Sequence, residues 1–233
     1  MDQMKETLRQ GLPELGLALD EHILDTLVGF GHAMVKQNEV MNLTGITEDS
    51  AVAKLHLLDS LTVLSTADLA GKSLIDVGCG AGFPGVPLAI AAPTAKITLL
   101  DSLGKRMKWL ETVLPTLGID AECVTARAEE AVATRRESYD YATSRAVARL
   151  NILLELTAPY VKVGGAVLAM KGAMAKEELA ECDNAIKKLG LKLEAVKEFP
   201  IDGANHAVIV LRKIKPTPAQ YPRRFAKIKQ APL

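Results

Sequence analysis

Three glycines within five residues follow a short apolar segment and could bring the backbone close to a ligand. Residues 73–77 are predicted to form a buried strand, and residues 84–90 the helix after it. Gly78, Gly80 and Gly82 remove side chains from the turn between them. A strand, a bare turn and a helix in this order form a nucleotide cradle at the end of a parallel strand. The alternative interpretation is an ordinary turn.

The acidic residue before this turn indicates which nucleotide the cradle takes. Residues 80–85 match the G-x-G-x-x-G pattern of dinucleotide-binding proteins. However, the first glycine after the strand is Gly78, and Asp76 lies two positions before it. A carboxylate there repels a pyrophosphate but tolerates a sulfonium nucleoside that carries an ammonium group. The turn therefore favours S-adenosylmethionine as cofactor, with predicted contacts at Asp76, Gly78, Gly80 and Gly82.

A second carboxylate ends the next predicted strand. Asp101 and Ser102 follow this strand, with Asp101 placed 25 residues after Asp76. A carboxylate in this position can accept hydrogen bonds from both ribose hydroxyls, and it can also act as the N-cap of the following helix. Lys105 and Arg106 come next, on the first turns of that helix. They are predicted either to face RNA or to be solvated surface charges.

The ends of the later strands complete the predicted site. Ala128 and Glu129 follow the third strand and are expected beside adenine, with a charged helix start as the alternative interpretation. Arg145 ends the fourth strand. It is expected to donate to guanine O6 or to clamp a phosphate, with a structural salt bridge as the competing role. Lys171 ends the fifth strand and is expected either to add a phosphate contact or to be solvated.

His56, Asp59 and Ser60 could suggest a catalytic triad. These residues lie within about one helical turn, whereas a triad joins side chains from separate elements around a substrate. We therefore reject the triad. The interpretation that we prefer is an interface role between the helical part of the chain and the sheet.

The elements that position these residues begin as helices and continue as alternating strands and helices. Helical periodicity covers residues 20–40 and 49–65, with Thr47 as the expected N-cap of the second segment. Strands are predicted at residues 73–77, 96–100, 119–124, 139–143, 164–170, 191–199 and 205–213. The connection between the last two is so short that they must pair in antiparallel fashion.

This pattern predicts an α/β fold of the class I, Rossmann-like methyltransferase type. We expect a mostly parallel seven-stranded sheet with an antiparallel last strand, preceded by a small N-terminal helical region. The predicted division is a helical region at 1–70, an S-adenosylmethionine-binding methyltransferase domain at 71–213 and a basic tail at 214–233. The tail contains several prolines and is expected to be extended along the surface.

Composition limits the class of protein. The chain has 233 residues, 48% of them hydrophobic and 24% charged, and its apolar segments are far too short to cross a bilayer. Three scattered cysteines indicate a reducing compartment without disulfides or a metal cluster. We therefore expect a cytoplasmic monomer that needs no metal and no membrane.

The net charge of zero hides an asymmetry between the body and the tail. Seven basic and no acidic residues lie between Arg212 and Leu233, which leaves 21 basic against 28 acidic residues before them. A basic tail on an acidic body suggests an anionic partner, most simply a nucleic acid, although a solubilising terminus explains the charge equally well. Arg223 and Arg224 are the predicted RNA contacts of the tail.

Taken together, these motifs resemble the RsmG (GidB) family, bacterial methyltransferases that modify N7 of a guanine in 16S ribosomal RNA. The motifs that carry the resemblance lie at residues 42–44, 56–61, 76–85, 100–106, 144–146, 171–172 and 221–223. The resemblance implies ribosomal RNA or the small ribosomal subunit as partner. It also implies cofactor contacts at Gly78, Phe83, Ala128, Glu129 and Arg145.

One departure from the family pattern lies in the tail. The family usually has a glycine soon after the Tyr-Pro-Arg motif, where this chain has Phe225 and Ala226. This departure concerns the path of the tail and leaves the implied activity unchanged.

The implied reaction needs no general base. Guanine N7 carries a lone pair at neutral pH, so no proton has to leave before the methyl group is transferred by in-line displacement. Catalysis then depends on alignment and electrostatics, with Arg145 and Lys171 positioning the substrate. A flat pH–rate profile around neutrality is expected.

Three other functions are compatible with parts of the pattern. A nicotinamide-dependent oxidoreductase would use the match at residues 80–85. A methyltransferase acting on another RNA would share the fold. One acting on a protein or a small molecule would share it too, but would give the basic tail less purpose. A non-catalytic RNA-binding protein with a vestigial pocket is the third.

Overall fold

A seven-stranded sheet forms the centre of the computed structural model, which describes residues 2–233. Its strands are β1 (Ser73–Val77), β2 (Lys96–Asp101), β3 (Glu122–Thr125), β4 (Tyr139–Arg145), β5 (Val161–Lys171), β6 (Leu191–Ile201) and β7 (Ala204–Lys213). Their order is β3-β2-β1-β4-β5-β7-β6. Neighbouring strands are parallel except that β7 is antiparallel to both β5 and β6. The predicted mostly parallel sheet with an antiparallel last strand is confirmed.

Helices flank the sheet and precede it. They are α1 (Gln3–Gly11), α2 (Glu21–Met41), α3 (Asp49–Val52), α4 (Asp59–Leu61), α5 (Gly85–Ala91), α6 (Gly104–Thr116), α7 (Ala128–Arg135), α8 (Leu150–Thr157), α9 (Ala175–Ala180), α10 (Asp183–Lys188) and α11 (Phe225–Gln230). A π-helical segment, Ala53–Leu58, joins α3 to α4. None of the helices described here is long and apolar enough to span a membrane.

The start of α3 differs from the prediction. Glu48, and not Thr47, is the N-cap residue, because its carboxylate accepts hydrogen bonds from the backbone N–H groups of Ser50 and Ala51 at 3.2 and 2.9 Å. These bonds satisfy donors that have no partner within the helix. The helical periodicity was therefore sufficient to place the segment but not its first residue.

Two apolar clusters cover the two faces of the sheet. One cluster joins the N-terminal helices to the sheet, with Phe30 and Leu57 packed in the same core as Leu74 and Leu168. The other lies under α7, α8 and α10 and includes Tyr221 from the tail. Because residues before and after the sheet share its cores, both ends of the chain are held against the strands that carry the predicted site residues.

The tail is only partly extended. Residues 214–224 contain no helix or strand, but Phe225–Gln230 forms α11, with Ile228 buried beneath it. The expectation of an extended tail along its whole length is therefore wrong. The last periodic apolar position, Ile228, is too isolated in the sequence to have indicated a helix.

Candidate functional site

The ends of four parallel strands meet at one edge of the sheet and enclose a cavity of about 500 Å³, here called the loop cavity. Its lining comes from the glycine turn after β1, the ends of β2 and β4, and the segment between β3 and α7. Among the predicted contacts, the lining residues are Gly78, Gly80, Phe83, Asp101, Ser102, Arg106, Ala128, Glu129 and Arg145. The structure therefore brings together most of the residues selected from the sequence.

The glycine turn adopts a backbone that other residues rarely adopt. Gly78, Gly80 and Gly82 have φ angles of +76°, +57° and +97°. A Cβ added to Gly78 would lie 2.4 Å from a methyl carbon of Val147, and one added to Gly82 would lie 2.7 Å from a methyl carbon of Val86. Bare backbone at this turn is consequently required by both conformation and space.

Asp76 lies behind the turn instead of lining the loop cavity. Its side chain is fully buried, and Oδ2 accepts a hydrogen bond from the N–H of Gly85, the first residue of α5, at 2.8 Å. Oδ1 has no hydrogen-bond partner among the described residues. Burial raises the pKa of this carboxyl to about 7. The structure thus differs from the predicted cofactor contact, because Asp76 supports the turn from the side away from the cavity.

Asp101 braces the turn from the cavity side. Its Oδ2 accepts a hydrogen bond from the N–H of Gly80 at 2.9 Å, and its Oδ1 accepts one from the N–H of Leu103 at 2.8 Å. Leu103 occupies the N-cap position of α6, so the capping role proposed for Asp101 is wrong. A carboxylate oxygen can accept two hydrogen bonds. Each oxygen of Asp101 therefore keeps one acceptor position for a ligand in the loop cavity.

The two basic residues on α6 have different surroundings. Arg106 is half-buried and lines the loop cavity, and its Nη1 would lie 3.7 Å from a Cβ on Gly80. Lys105 is exposed, which agrees with both predicted roles, an RNA contact and a solvated surface charge.

The segment after β3 forms one end of the loop cavity. Ala128 offers its backbone there, and its carbonyl accepts a hydrogen bond from the Tyr160 hydroxyl at 2.5 Å. Glu129 forms an ion pair with Arg127 at 3.0 Å. The guanidinium of Arg127 also lies 5.3 Å from the centre of the Phe225 ring, which lines the same cavity. Phe225 was not selected from the sequence, because no local pattern connects the tail to β3.

Arg145 forms a salt bridge at the opposite end of the loop cavity. Its Nη1 donates to Asp59 Oδ2 at 2.7 Å and to the Leu55 carbonyl at 3.0 Å. The guanidinium lies 5.1 Å from the centre of the Phe83 ring. The structural salt bridge that competed with a substrate contact is therefore present, and 18% of the Arg145 side chain remains exposed.

Asp59 connects the helical region to two strands of the sheet. Besides Arg145 on β4, its Oδ1 lies 2.8 Å from Nδ1 of His206 on β7. Burial opposes ionisation of Asp59, but the His206 hydrogen bond and the Arg145 charge hold the pKa of this carboxyl below its ordinary value. The same hydrogen bond raises the pKa of His206. The predicted interface role of Asp59 is confirmed.

His56 contacts an aromatic residue and a polar residue at this interface. Its ring stacks on Phe83 with 4.9 Å between centroids, and Nε2 lies 2.9 Å from the Thr44 hydroxyl. Burial, followed by the charge of Arg145, lowers the pKa of His56 to about 4. His56 is consequently uncharged at neutral pH.

A second cavity of about 580 Å³, here called the rim cavity, lies next to the loop cavity and shares His56, Arg145, Ala146 and Val147 with it. Lys171 lines the rim cavity. Its side chain is only 8% exposed, and Nζ donates to the Ala148 carbonyl at 2.6 Å and pairs with Glu178 at 2.8 Å. The interpretation of Lys171 as a solvated lysine is wrong, because its ammonium group is held inside the protein.

The two arginines of the tail also differ. Arg223 donates to the fully buried carboxylate of Glu155 through Nε at 2.8 Å and Nη2 at 2.5 Å. Its backbone N–H donates to the same carboxylate at 2.8 Å. Arg223 therefore anchors the tail, which corrects its assignment as an outward RNA contact. Arg224 is exposed, as that assignment requires.

The described residues contain one group with the spacing of metal ligands. Asp2, His32 and Asp49 approach within 4.8 Å of one another on the surface of the helical region. None of them lines the loop cavity or the rim cavity. The expectation that the protein needs no metal stays a prediction.

The fold defines a class of protein. It is similar to that of an S-adenosylmethionine-dependent methyltransferase from Aquifex aeolicus, with a TM-score of 0.54 at 16% identity over 69% of this chain and 92% of that chain. It is also similar to the 16S rRNA (adenine(1408)-N(1))-methyltransferase of Catenulisporales acidiphilia, with a TM-score of 0.53 at 17% identity over 64% and 87%. Identities this low relate the folds alone. The predicted class I, Rossmann-like methyltransferase fold is confirmed.

Sequence comparison then identifies the family. The family described as "rRNA small subunit methyltransferase G" matches residues 23–207. A relative named ribosomal RNA small subunit methyltransferase G from Alkaliphilus metalliredigens is 44% identical over 95% of both chains. A relative of the same name from Alkaliphilus oremlandii is 40% identical over 99% of both chains. The chain belongs to the rRNA small subunit methyltransferase G family, which confirms the resemblance found in its motifs.

Proposed function

We propose that this protein transfers the methyl group of S-adenosylmethionine to N7 of a guanine in 16S ribosomal RNA. The observation that carries the proposal is the pair of neighbouring cavities at the carboxyl ends of the parallel strands. The loop cavity contains the bare glycine turn and the Asp101 carboxylate, and the rim cavity contains Arg145 and Lys171, each paired with a carboxylate. Family membership supports the reaction and the RNA.

The loop cavity fits the proposed cofactor. Gly78 and Gly80 line the loop cavity as bare backbone. A Cβ on Gly80 would have only Arg106 Nη1 within 4 Å, at 3.7 Å, so the amino-acid part of a ligand can approach the backbone there. Asp101 keeps acceptor positions for ribose hydroxyls, and Ala128 and Glu129 bound the far end, where adenine would lie. When bound, S-adenosylmethionine supplies a methyl group on a positively charged sulfur.

The rim cavity fits an RNA substrate. Arg145 and Lys171 line it and are held by Asp59 and Glu178, so both cations keep fixed positions without losing their remaining donors. Fixed donors suit the positioning of a base or a phosphate, because little side-chain freedom is lost when the substrate binds. Exposed Lys105 and Arg224, with half-buried Arg106, are the cations that we propose as further RNA contacts.

His56 and Asp59, which line the rim cavity, are poorly suited to act as a general base. A general base works best when its pKa lies near the working pH, and the pKa of His56 lies at about 4. Both oxygens of Asp59 are already used by Arg145 and His206. Guanine N7 carries no proton, so the chain only has to align the base and keep donors away from N7.

We further propose that the protein acts as a cytoplasmic monomer divided at residues 1–70, 71–213 and 214–233. Its ribosomal RNA substrate and its three free cysteines support the compartment. The helical region then supplies Asp59 and His56 to the site, and the tail supplies its anchored segment around Arg223.

The test is transfer of a labelled methyl group from S-adenosylmethionine to small ribosomal subunits, followed by mapping of the modified nucleotide. We expect Arg145→Ala to lower transfer at least tenfold while S-adenosylhomocysteine still binds. Arg212→Ala is the matched control, since Arg212 lies on β7 in a surface pair with Glu194. Normal transfer by Arg145→Ala would remove this residue from the site, and no transfer by the wild-type protein would contradict the function.

A further inference from the structure

We infer that the C-terminal tail forms part of the cofactor site and that Phe225 contacts the adenine ring; this inference rests on the proposed function. Phe225 is half-buried at the first position of α11 and lines the loop cavity together with Ala126, Ala128 and Glu129. Its ring offers the only aromatic face at this end of the cavity among the described residues.

The order of the strands places Phe225 at the adenine end. The sheet runs β3-β2-β1-β4, so the segment after β3 and the end of β4 lie at opposite ends of the loop cavity. Asp101, whose carboxylate suits ribose, lies between them at the end of β2. The base attached to that ribose must extend towards either β3 or β4. The β4 end is taken by Arg145 and His56 and opens into the rim cavity, which leaves the β3 end and Phe225 for adenine.

Contacts with the rest of the chain hold the tail in this position. Glu155 accepts three hydrogen bonds from Arg223, two residues before Phe225, and Arg136 donates to the carbonyls of Thr217 and Tyr221. Tyr221 and Ile228, on either side of Phe225, are buried. A ring held from both sides loses little freedom when it contacts a ligand.

Arg127 completes this end of the loop cavity. Its guanidinium lies over the Phe225 ring, and Glu129 neutralises its charge at 3.0 Å. Arg127 and Phe225 both line this end of the cavity. An aromatic ring with a guanidinium beside it suits a purine better than the ammonium and carboxylate groups of the amino-acid part. Phe225 therefore acts as a binding residue for adenine and has no part in the transfer of the methyl group.

The test measures the affinity of two probes by calorimetry. S-adenosylhomocysteine carries both ends of the cofactor, and 5′-methylthioadenosine lacks the amino-acid end. We expect Phe225→Ala to weaken both by about tenfold, which corresponds to about 1.4 kcal/mol and lies within the contribution of base–aromatic stacking. Phe225→Trp should restore the affinity, and Phe225→Leu, which keeps the apolar packing of the tail, should restore only part of it.

The control is Lys229→Ala, an exposed change on the same helix that should leave both affinities unchanged. Unchanged binding of both probes by Phe225→Ala would overturn the inference and leave the proposed function intact. Weaker binding of S-adenosylhomocysteine alone would also overturn it, because the contact would then be with the amino-acid end. If the wild-type protein bound neither probe, the proposed function itself would fail.

Discussion

The loop cavity and the rim cavity are neighbours, yet they are built in different ways. The loop cavity is shaped by backbone, and its central carboxylate, Asp101, holds two N–H groups while keeping acceptor positions open. The rim cavity is shaped by side chains of opposite charge, in which Arg145 pairs with Asp59 and Lys171 with Glu178. In the function that we propose, the small cofactor occupies the rigid loop cavity, whereas the anionic RNA meets cations that internal carboxylates hold in position.

The largest effect is expected on the stability of the protein when the rim cavity loses its shared carboxylate in Asp59→Asn. The substitution leaves the Arg145 guanidinium without its anion and weakens the hydrogen bond of His206, and breaking a buried ion pair in this way costs about 3 kcal/mol of unfolding free energy. Urea unfolding at neutral pH measures it. Asp202→Asn, which removes an exposed pair with Lys54, is the control and should lower the stability far less, because exposed ion pairs are screened by solvent. Equal losses in both variants would mean that Asp59 does not organise the rim cavity.

The next largest effect is expected on cofactor affinity, which should depend on the loop cavity and not on the rim cavity. Asp101→Asn removes a charge that accepts two backbone hydrogen bonds and two proposed ribose bonds. We expect S-adenosylhomocysteine to bind about 100-fold more weakly, since hydrogen bonds to charged groups contribute about 1.5–3 kcal/mol each. Asp120→Asn, an exposed aspartate, should bind normally in calorimetry. Asp59→Asn should change this affinity far less. A change below threefold in Asp101→Asn would place the cofactor elsewhere.

A smaller effect concerns the stability that His206 contributes in the rim cavity and its dependence on pH. Its pair with Asp59 raises the pKa of His206, so this histidine stabilises the fold fully below its ordinary pKa of 6.5, and the contribution is lost as pH rises through the raised value. His206→Gln should therefore lower the unfolding free energy by about 1 kcal/mol at pH 6 and by less at pH 9. Denaturant titrations at both pH values measure the difference. A larger loss of stability at pH 9 than at pH 6 would contradict this expectation.

The smallest effect is expected from Lys105→Ala. Lys105 is exposed beside the loop cavity, and removing one phosphate contact should reduce the slope of log affinity against log salt by about 0.7 for single-stranded RNA. Cofactor affinity should not change. Lys188→Ala, at the end of α10 and at the opposite edge of the sheet, is the matched control. The same slope in both variants would remove Lys105 from the RNA surface.

The sequence was sufficient for the features that depend on neighbouring residues. The period of apolar residues placed all seven strands, and the connection between β6 and β7 fixed their antiparallel pairing. The glycine spacing predicted the turn at Gly78–Gly82, where positive φ angles occur. Asp101 followed from its place at the end of β2, because parallel strands that end at one edge bring their last residues together.

Contacts between residues that are far apart in the sequence could not be predicted from local patterns. Arg145 and His206 both reach Asp59 only because β7 inserts between β5 and β6 and the helical region packs on the sheet. The tail reaches the loop cavity only because Glu155 is buried beside it. Which way a side chain such as Asp76 points was equally hidden, since strand alternation did not show that its carboxylate faces α5.

The proposed reaction, with the cofactor in the loop cavity and RNA in the rim cavity, forms a single product, guanine methylated at N7. Small-subunit RNA methylated by the protein with S-adenosylmethionine can be treated with borohydride and then aniline, which cleave the chain at 7-methylguanine. We predict cleavage at one guanine, absent without cofactor and strongly reduced with Arg145→Ala. Methyl incorporation without cleavage would put the methyl group on another atom and contradict base-free transfer to N7.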